Sequence, residues 1–249
     1  MTADSAVTLV VPCHNEAARL DAGAFLAALD RMAGLRLSFV NDGSTDATGE
    51  RLASLGATAP DRVRVRTLAT NEGKAEAVRQ GVLAALADAA PVVGYWDADL
   101  STPLAELPAL VETLARWPEV EIALGSRVRL LGRDIRRSAA RHCLGRAFAT
   151  LASLILRLPV YDTQCGAKLF RATPAVRAAF ERPFETRWTF DVELLARFSA
   201  AARREDGPPP EARLREVPLA RWREMPGSNV RLAHAPRVAR DLYRIWRRR

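Results

Sequence analysis

Two aspartates stand one residue apart, Asp97 and Asp99, where an apolar run ends in the segment VGYWDADLSTP, residues 93–103. Carboxylates at this spacing repel one another and resist burial unless a positive group lies between them. In a loop after a strand, two carboxylates can bind a divalent cation, and the cation can in turn neutralise a diphosphate. A solvated turn or a helix cap explains an isolated pair better, so the surrounding elements decide between the two.

Short apolar runs rich in β-branched residues alternate with helical patterns through the first half of the chain. The predicted strands are residues 7–12, 35–40, 62–68, 91–96 and 120–126. The predicted helices between the first four strands are residues 16–33, 46–55 and 73–87. This alternation predicts a single α/β domain with a doubly wound, mostly parallel, Rossmann-like sheet flanked by helices.

Polar clusters follow three of the predicted strands. They are CHNE at 13–16, NDGSTD at 41–46 and DADLST at 97–102. In doubly wound sheets, ligands bind beyond the carboxyl ends of the strands. We therefore expect the three clusters to meet in one site, which favours a cation at the aspartate pair over a solvated turn.

Two further residues have types and positions that suit a nucleotide. Asp42 follows the second strand, where a carboxylate can accept hydrogen bonds from a base N–H or ribose hydroxyls. Lys74 begins a predicted helix, where the helix dipole and the ammonium both favour a phosphate. A turn or capping role for Asp42, and a surface position for Lys74, remain open alternatives. The chain has neither a Walker loop nor a GxGxxG motif, which argues against hydride transfer.

The second half of the chain is less regular. Residues 135–158 are predicted as one long helix, basic at first and apolar later, and residues 189–205 as another helix. Residues 162–171 are predicted as a loop that enters a short strand, and residues 213–222 as a late strand. We assign residues 1–230 to the main domain and residues 231–249 to a basic amphipathic C-terminal helix.

Composition restricts the partners and the compartment. The charge balance of 37 Lys and Arg against 29 Asp and Glu gives a net charge of +8, which suits a nucleotide, a phosphorylated substrate or an anionic membrane surface. Three widely separated cysteines predict neither a disulfide framework nor a zinc site, and favour the cytoplasm. The longest apolar stretch, residues 147–156, is too short to span a bilayer. Peripheral association with the cytoplasmic face of a membrane is the open alternative to a location away from membranes.

Six segments, in this order along the chain, resemble motifs of the family-2 glycosyltransferases of GT-A fold: VVPCHNE, VNDGSTD, NEGKAEAVRQG, DADLSTP, GSR and DTQCGAKLFR. The resemblance extends from about residue 7 to about residue 230. DTQCGAKLF together with RWTFDVELL is most similar to the dolichyl-phosphate glucosyltransferase branch of the polyprenyl-phosphate sugar synthases. The resemblance implies a metal-dependent, inverting transfer of a hexose, with glucose from UDP-glucose the best match, to a polyprenyl phosphate.

The resemblance also implies roles for individual residues. The nucleotide-sugar pocket would comprise Pro12, Asn15, Glu16, Asp42, Lys74, Asp97, Ala98, Asp99, Gln164, Lys168 and Trp188. Asp97 and Asp99 would hold Mg²⁺ or Mn²⁺. The acceptor phosphate would meet Arg127, with Arg141 the best candidate for a partner and Arg137 and Arg136 as competitors. Asp162 would belong to the loop over the donor sugar, and Asp191 and Glu193 to the lining of the sugar pocket.

The acceptor decides which catalytic groups are needed. A lipid phosphate is already a nucleophile near neutral pH, so positioning and charge stabilisation by Asp97, Asp99 and Arg127 would suffice. A hydroxyl acceptor would need a general base, for which Asp191 is the candidate, although capping of the following helix explains Asp191 equally well.

The sequence departs from the family pattern at two positions. Asn41 stands where many relatives have an aspartate, which removes one charge. Ser101 stands where mannosyl-transferring relatives often have a glutamine, which disfavours mannose.

Two other functions are alternatives to the lipid glucosyltransferase. One is a soluble GT-A transferase with a small phosphorylated or hydroxyl acceptor. The other is a non-catalytic nucleic-acid-binding module, which an aromatic content of 6% without interleaved aromatic and basic residues disfavours. We therefore expect no nucleic-acid partner.

Overall fold

Seven strands form one twisted sheet at the centre of the computed structural model, which describes residues 6–136, 139–225 and 235–248. The described residues contain these seven strands and two more, which pair separately. In chain order they are β1 Val7–Cys13, β2 Leu35–Asp42, β3 Val63–Leu68, β4 Val92–Trp96, β5 Ile122–Ser126, β6 Asp134–Arg136, β7 Ala167–Arg171, β8 Leu214–Pro218 and β9 Arg221–Arg223. The separate pair is β6 and β9. The order in the large sheet is β3-β2-β1-β4-β7-β5-β8. Within that sheet β7 runs antiparallel to both its neighbours, and the remaining pairs are parallel.

Helices cover both faces of this sheet. They are α1 Ala22–Arg31, α2 Thr48–Thr58, α3 Lys74–Ala87, α4 Leu107–Arg116, α5 Ala139–Leu156, α6 Pro174–Glu181, α7 Phe190–Ala202 and α8 Ala235–Arg247. Two hydrophobic cores result, one on each face: α1, α2 and α4 pack in the first, and α3, α5, α6, α7 and α8 in the second. This confirms the predicted doubly wound architecture.

Strand β1 illustrates why the sheet is buried on both sides. Leu9 and Val11 belong to the first core and Val10 to the second, because successive side chains point to opposite faces. All three are fully buried, as expected for a parallel strand covered by helices. On the second face Gly81 of α3 lets the helix approach the sheet closely, since a Cβ there would lie 3.0 Å from Val40 Cγ2.

Three predicted elements were wrong in their bounds. The helix predicted at 16–33 begins only at Ala22, because the Asp21 side chain caps it by accepting the Ala24 N–H at 2.9 Å. The helix predicted at 135–158 is a strand, β6, followed by α5. The strand predicted at 213–222 is divided between β8 and β9, and β9 leaves the main sheet to pair with β6 in a parallel two-stranded ribbon.

None of the helices in the described part of the chain combines the length and the apolar character that a membrane span requires.

Candidate active site

The loops after β1 and β2 form one continuous polar surface at the carboxyl edge of the sheet. The Asn15 backbone N–H donates to Ser44 Oγ at 3.0 Å, and the Thr45 N–H donates to Asn15 Oδ1 at 2.9 Å. Asn15 adopts a left-handed backbone with φ of 54°, which its short polar side chain tolerates. Pro12 is the second-last residue of β1, which ends at Cys13 just before this loop. The structure thus joins the first two polar clusters.

Asp42 organises the loop that leads into α3. Its carboxylate is 2% exposed and accepts the backbone N–H groups of Glu72 at 2.7 Å and of Gly73 at 2.8 Å. Gly43 fits beneath this loop with a φ of 59°, where a Cβ would lie 2.5 Å from the Thr70 carbonyl carbon. Asp42 therefore fixes the start of α3, and its remaining lone pairs are what a nucleotide could use.

Lys74 is the positive group beside the aspartate pair. Its Nζ lies 2.5 Å from Asp97 Oδ1 and 5.7 Å from the centre of the Tyr95 ring. Desolvation acts to lower the pKa of this ammonium, but the carboxylates of Asp97, Asp191 and Asp99 outweigh it and raise the pKa above its usual value. Lys74 is therefore fully charged at neutral pH.

Asp97 and Asp99 are held by the backbone on either side of them. The Asp97 N–H donates to the Gly166 carbonyl at 3.0 Å, and Asp99 Oδ1 accepts the Ser101 N–H at 3.0 Å. Ala98 between them is buried, and Leu100 after them has a φ of 52°. The turn thus places Asp97 against Lys74 and keeps Asp99 two residues away at the carboxyl edge of the sheet.

The donor set fits a hard divalent cation that a substrate helps to bind. In the described ranges no three His, Cys, Asp or Glu residues converge to hold a metal by themselves. Mg²⁺ and Mn²⁺ are commonly held by one or two carboxylates together with substrate phosphates, and Asp97 and Asp99 supply that number. A diphosphate would complete the coordination.

Glu16 adds a third carboxylate near this pair. Its Oε1 pairs with Arg19 at 2.6 Å, while its Oε2 is buried and has no hydrogen-bond partner among the described residues. Burial raises the pKa of the Glu16 carboxyl, Arg19 partly opposes this, and the charges of Asp99 and Asp97 raise it further. An added cation or donor group at this point would satisfy Glu16.

A buried polar network lies behind Asp97. The Lys168 ammonium is fully buried and contacts Tyr95 Oη at 2.7 Å, the Cys165 carbonyl at 2.5 Å and Asp191 Oδ1 at 2.8 Å. The Tyr95 hydroxyl donates to the same Asp191 oxygen. All three ammonium protons have internal partners, so this geometry favours a supporting role for Lys168 over direct contact with a ligand.

Tyr95 belongs to this network, although no sequence motif pointed to it. The signal that could have identified it is the two-residue period of a strand: Tyr95 lies in β4 two residues before Asp97, which directly follows the strand, so the two side chains are expected on the same side. Burial and the Asp191 carboxylate raise the pKa of the Tyr95 phenol, which therefore stays protonated and donates its hydrogen.

Arg127 forms a bidentate ion pair with Asp162. Nε and Nη2 donate to the two carboxylate oxygens at 2.7 and 2.8 Å, and the Arg127 backbone N–H donates to Oδ2 at 3.1 Å. The guanidinium also lies 5.3 Å from the ring of Trp222. Burial alone would raise the pKa of the Asp162 carboxyl, but Arg127 lowers it to about 2. Arg127 is thus fixed in place, with one side of its guanidinium committed to Asp162.

The remaining predicted residues lie in different environments. Gln164 Nε2 is buried without a hydrogen-bond partner in the described part of the chain, and Trp188 is partly exposed. Glu193 accepts the N–H groups of Glu185 and Thr186, so it braces the loop before α7. Arg141 lies in the first half of α5. Arg137 lies outside the described residues.

A basic cavity of about 860 Å³ flanks the site at the β6–β9 ribbon. Its lining is mostly basic and apolar: Arg129, Leu130, Leu131, Arg133, Asp134, Ile135, Arg136, Arg223 and Glu224. The Arg223 backbone N–H donates to the Ser101 carbonyl at 2.9 Å, which connects the cavity to the loop after Asp99. Leu130 and Leu131 are half and fully exposed. An anion with an apolar chain fits this lining.

Solved structures of the same fold are similar over nearly the whole chain. Glucosyl-3-phosphoglycerate synthase from Mycobacterium tuberculosis, in complex with Mn²⁺, uridine diphosphate and glucosyl-3-phosphoglycerate, superposes with a TM-score of 0.68 at 19% identity. The match covers 98% of this chain and 79% of that one. At this identity the likeness concerns the fold, and it confirms the predicted GT-A architecture.

Sequence comparison identifies the family as well as the fold. The dolichyl-phosphate beta-glucosyltransferase of Drosophila melanogaster is 34% identical over 260 residues, which span 96% of this chain and 74% of that protein. The enzyme of the same description from Saccharomyces cerevisiae is 29% identical over 263 residues, spanning 95% and 72%. Residues 8–175 match the model of glycosyl transferase family 2. The chain therefore belongs to glycosyl transferase family 2.

Proposed function

We propose that this glycosyltransferase moves glucose from UDP-glucose to a polyprenyl phosphate, with inversion at the anomeric carbon and with Mg²⁺ or Mn²⁺ bound. The observation that carries the proposal is the paired Asp97 and Asp99 beside Lys74 at the carboxyl edge of the sheet. Its relatives in Drosophila melanogaster and Saccharomyces cerevisiae, described as dolichyl-phosphate beta-glucosyltransferases, support the choice of sugar and acceptor.

The donor would lie across the loops that follow β1, β2 and β4. Asp42 and the Asn15 loop would face the nucleoside, while Lys74 would face the diphosphate. The metal, held by Asp97 and Asp99, would supply positive charge to the departing diphosphate. In the displacement an acceptor phosphate oxygen bonds to the anomeric carbon as the bond from that carbon to the UDP oxygen breaks. Lys74 would then balance part of the charge that UDP carries away.

The basic cavity supports a phosphate acceptor. Arg129 and Arg133 have no ion-pair partner in the described ranges, whereas Asp134 pairs with Arg136 and Arg223. Guanidinium groups bind phosphate oxygens two at a time. Arg127 directly follows β5 and would orient the phosphate at the carboxyl edge of the sheet. Its ion pair with Asp162 would hold the guanidinium group in position.

The hydrogen bonds of Asp191 also favour a phosphate acceptor over a hydroxyl acceptor. Its Oδ1 already accepts hydrogen bonds from the Lys168 ammonium and the Tyr95 hydroxyl, so this oxygen is engaged inside the protein. A phosphate oxygen needs no base, so Asp191 would position the sugar rather than accept a proton.

Exposed apolar side chains support contact with a lipid surface. Leu144, Leu151 and Leu154 are 44, 47 and 70% exposed and recur at helical spacing along α5. In α8, Leu242 and Ile245 pack into the second core, so the apolar side of that helix is used by the domain itself. We propose that α5 and the exposed Leu130–Leu131 pair face the membrane, with the protein peripheral on its cytoplasmic face.

The test is transfer from radiolabelled UDP-glucose, with Mg²⁺, Mn²⁺ or chelator, to a polyprenyl phosphate in vesicles. Metal-dependent label in the organic phase, lost in Asp99→Asn, is the expected result. Parallel reactions with 3-phosphoglycerate and with glycerol test the soluble alternative. Transfer to those acceptors only, or transfer unchanged by chelator, would overturn the proposal. Calorimetric titration of UDP- and GDP-sugars on the same preparations identifies the donor independently of the acceptor.

A further inference from the structure

Lysine is rare in this chain, and both lysines lie at the candidate active site. Lys74 and Lys168 are the only two among 37 Lys and Arg residues. An ammonium is a compact point charge with three donors, whereas a guanidinium is a planar fork. A chain that otherwise uses arginine thus places its two compact cations next to the carboxylates of Asp97 and Asp191.

The two lysines differ in their freedom to move. Lys168 is fully buried with three internal partners, so it cannot leave Asp191 without opening the core. The Lys74 side chain is 41% exposed, its single hydrogen-bond partner in the described ranges is Asp97, and Asp97 is itself 27% exposed. Such a pair on a four-carbon stem can separate into solvent at small cost.

Lys74 therefore holds the position at Asp97 that a cation from solution would take. A divalent cation and an ammonium repel each other at the same carboxylate. Asp99 and Glu16 lie close enough to Asp97 to add negative charge around it, which favours a positive partner there. Metal binding at Asp97 thus displaces the Lys74 ammonium, and a new anionic partner for that ammonium makes the displacement easier.

We infer that Lys74 is an internal counter-ion of Asp97 that changes partners when donor and metal arrive together. This rests on the proposed function, since the new partner of the ammonium is the donor diphosphate. The exchange couples the two ligands: metal alone competes with Lys74, whereas metal with a nucleoside diphosphate does not. Lys74 thereby acts as a positioning residue that favours binding of the metal–donor complex over binding of free metal.

The test measures Mn²⁺ binding by electron paramagnetic resonance on the full chain, with and without UDP. Without nucleotide, Lys74→Gln should bind Mn²⁺ roughly threefold to tenfold more tightly than wild type, because the competing charge is gone. UDP should tighten Mn²⁺ binding more in wild type than in Lys74→Gln. The control Arg64→Gln removes one charge from a 79% exposed side chain on β3 and should match wild type.

Unchanged or weaker binding of Mn²⁺ by Lys74→Gln, without nucleotide and with a wild-type melting curve, would overturn the inference. Lys74→Arg keeps the charge and should remain within about twofold of wild type; relief of competition in that variant would also overturn it. If wild type binds no Mn²⁺ even with UDP, the metal-dependent function fails as well. If wild type binds Mn²⁺ normally in the presence of UDP but Lys74→Gln shows no tighter binding of free Mn²⁺, the inference about Lys74 fails and the metal-dependent function stands.

Discussion

Gly166 lies against the Asp97 carboxylate so closely that a Cβ at position 166 would overlap both carboxylate oxygens. The two residues also join through the backbone, where the Asp97 N–H donates to the Gly166 carbonyl. This contact continues the antiparallel register of β4 and β7, in which Trp96 faces Ala167. The loop before β7 thus determines where the Asp97 side chain can point.

Gly166→Ala should weaken metal-dependent binding of UDP-glucose at least about tenfold, because the added methyl must displace Asp97. We expect a loss of about 1–3 kcal/mol in the free energy of unfolding as well. Calorimetry and denaturant unfolding measure the two effects. Gly23→Ala is the matched control, since its Cβ would meet Asp21 Oδ1 at an ordinary 3.4 Å. Equal behaviour of the two variants would contradict this prediction.

Asp99→Asn should abolish the dependence of donor binding on metal while leaving the fold intact. The amide oxygen can still accept the Ser101 N–H that Asp99 Oδ1 accepts now, but it lacks the charge that a divalent cation requires. Titration of UDP-glucose with Mn²⁺ and with chelator should give nearly equal affinities in this variant. A retained metal effect of wild-type size would mean that Asp99 is not a ligand.

Lys168→Met should destabilise the protein by about 3–5 kcal/mol, because it leaves the Asp191 carboxylate buried without its cation. The double variant with Asp191→Asn should recover part of the loss, since the unpaired charge is then removed. Urea unfolding of both single variants and the double variant measures this coupling. Strictly additive losses would show that the two groups do not interact.

The Arg127–Asp162 ion pair should make the free energy of unfolding fall as the pH is lowered in the acidic range. The pKa of Asp162 is about 2 in the folded protein, below the ordinary 3.8, so the pair stabilises the fold fully above about pH 4. That contribution, about 2 kcal/mol, is lost as pH falls from 4 toward 2. Asp162→Asn should lack this component of the acid transition. Parallel pH profiles of unfolding for the two proteins would contradict the assignment.

Leu151→Glu combined with Leu154→Glu should reduce transfer to a vesicle-bound acceptor about tenfold, because two charges replace apolar groups at the proposed membrane face. Titration with UDP-glucose should be unaffected, since both residues lie on the outer side of α5. Vesicle co-sedimentation measures the loss of membrane contact. Val65→Glu, at a 37% exposed position on the edge strand β3, is the control. Wild-type sedimentation of the double variant would place the membrane contact elsewhere.

The sequence predicted the first five strands and the polar clusters at the ends of three of them. Buried parallel strands are short, apolar and rich in β-branched residues, whereas β3 alternates apolar and polar residues at the exposed edge of the sheet. Both signals are local, so β1 to β5 could be predicted without knowledge of the fold. The meeting of the Asn15 and Thr45 loops follows from the parallel arrangement, and the structure confirms it.

The sequence failed where an element depends on a distant partner. β6 has three residues and exists through pairing with β9, which lies about 85 positions further along the chain, so helical periodicity in the neighbouring residues dominated the prediction.

Residue types by themselves indicated the candidate chemistry of this protein: paired carboxylates, an ammonium group at a helix start and arginines suited to phosphate. Only the tertiary structure decided which charges meet. β7 enters the sheet antiparallel between β4 and β5, and this places Lys168 beside Tyr95 and Gly166 beside Asp97. The physical reason is that periodicity encodes which face of an element is buried, whereas strand neighbours are selected by packing across the whole core.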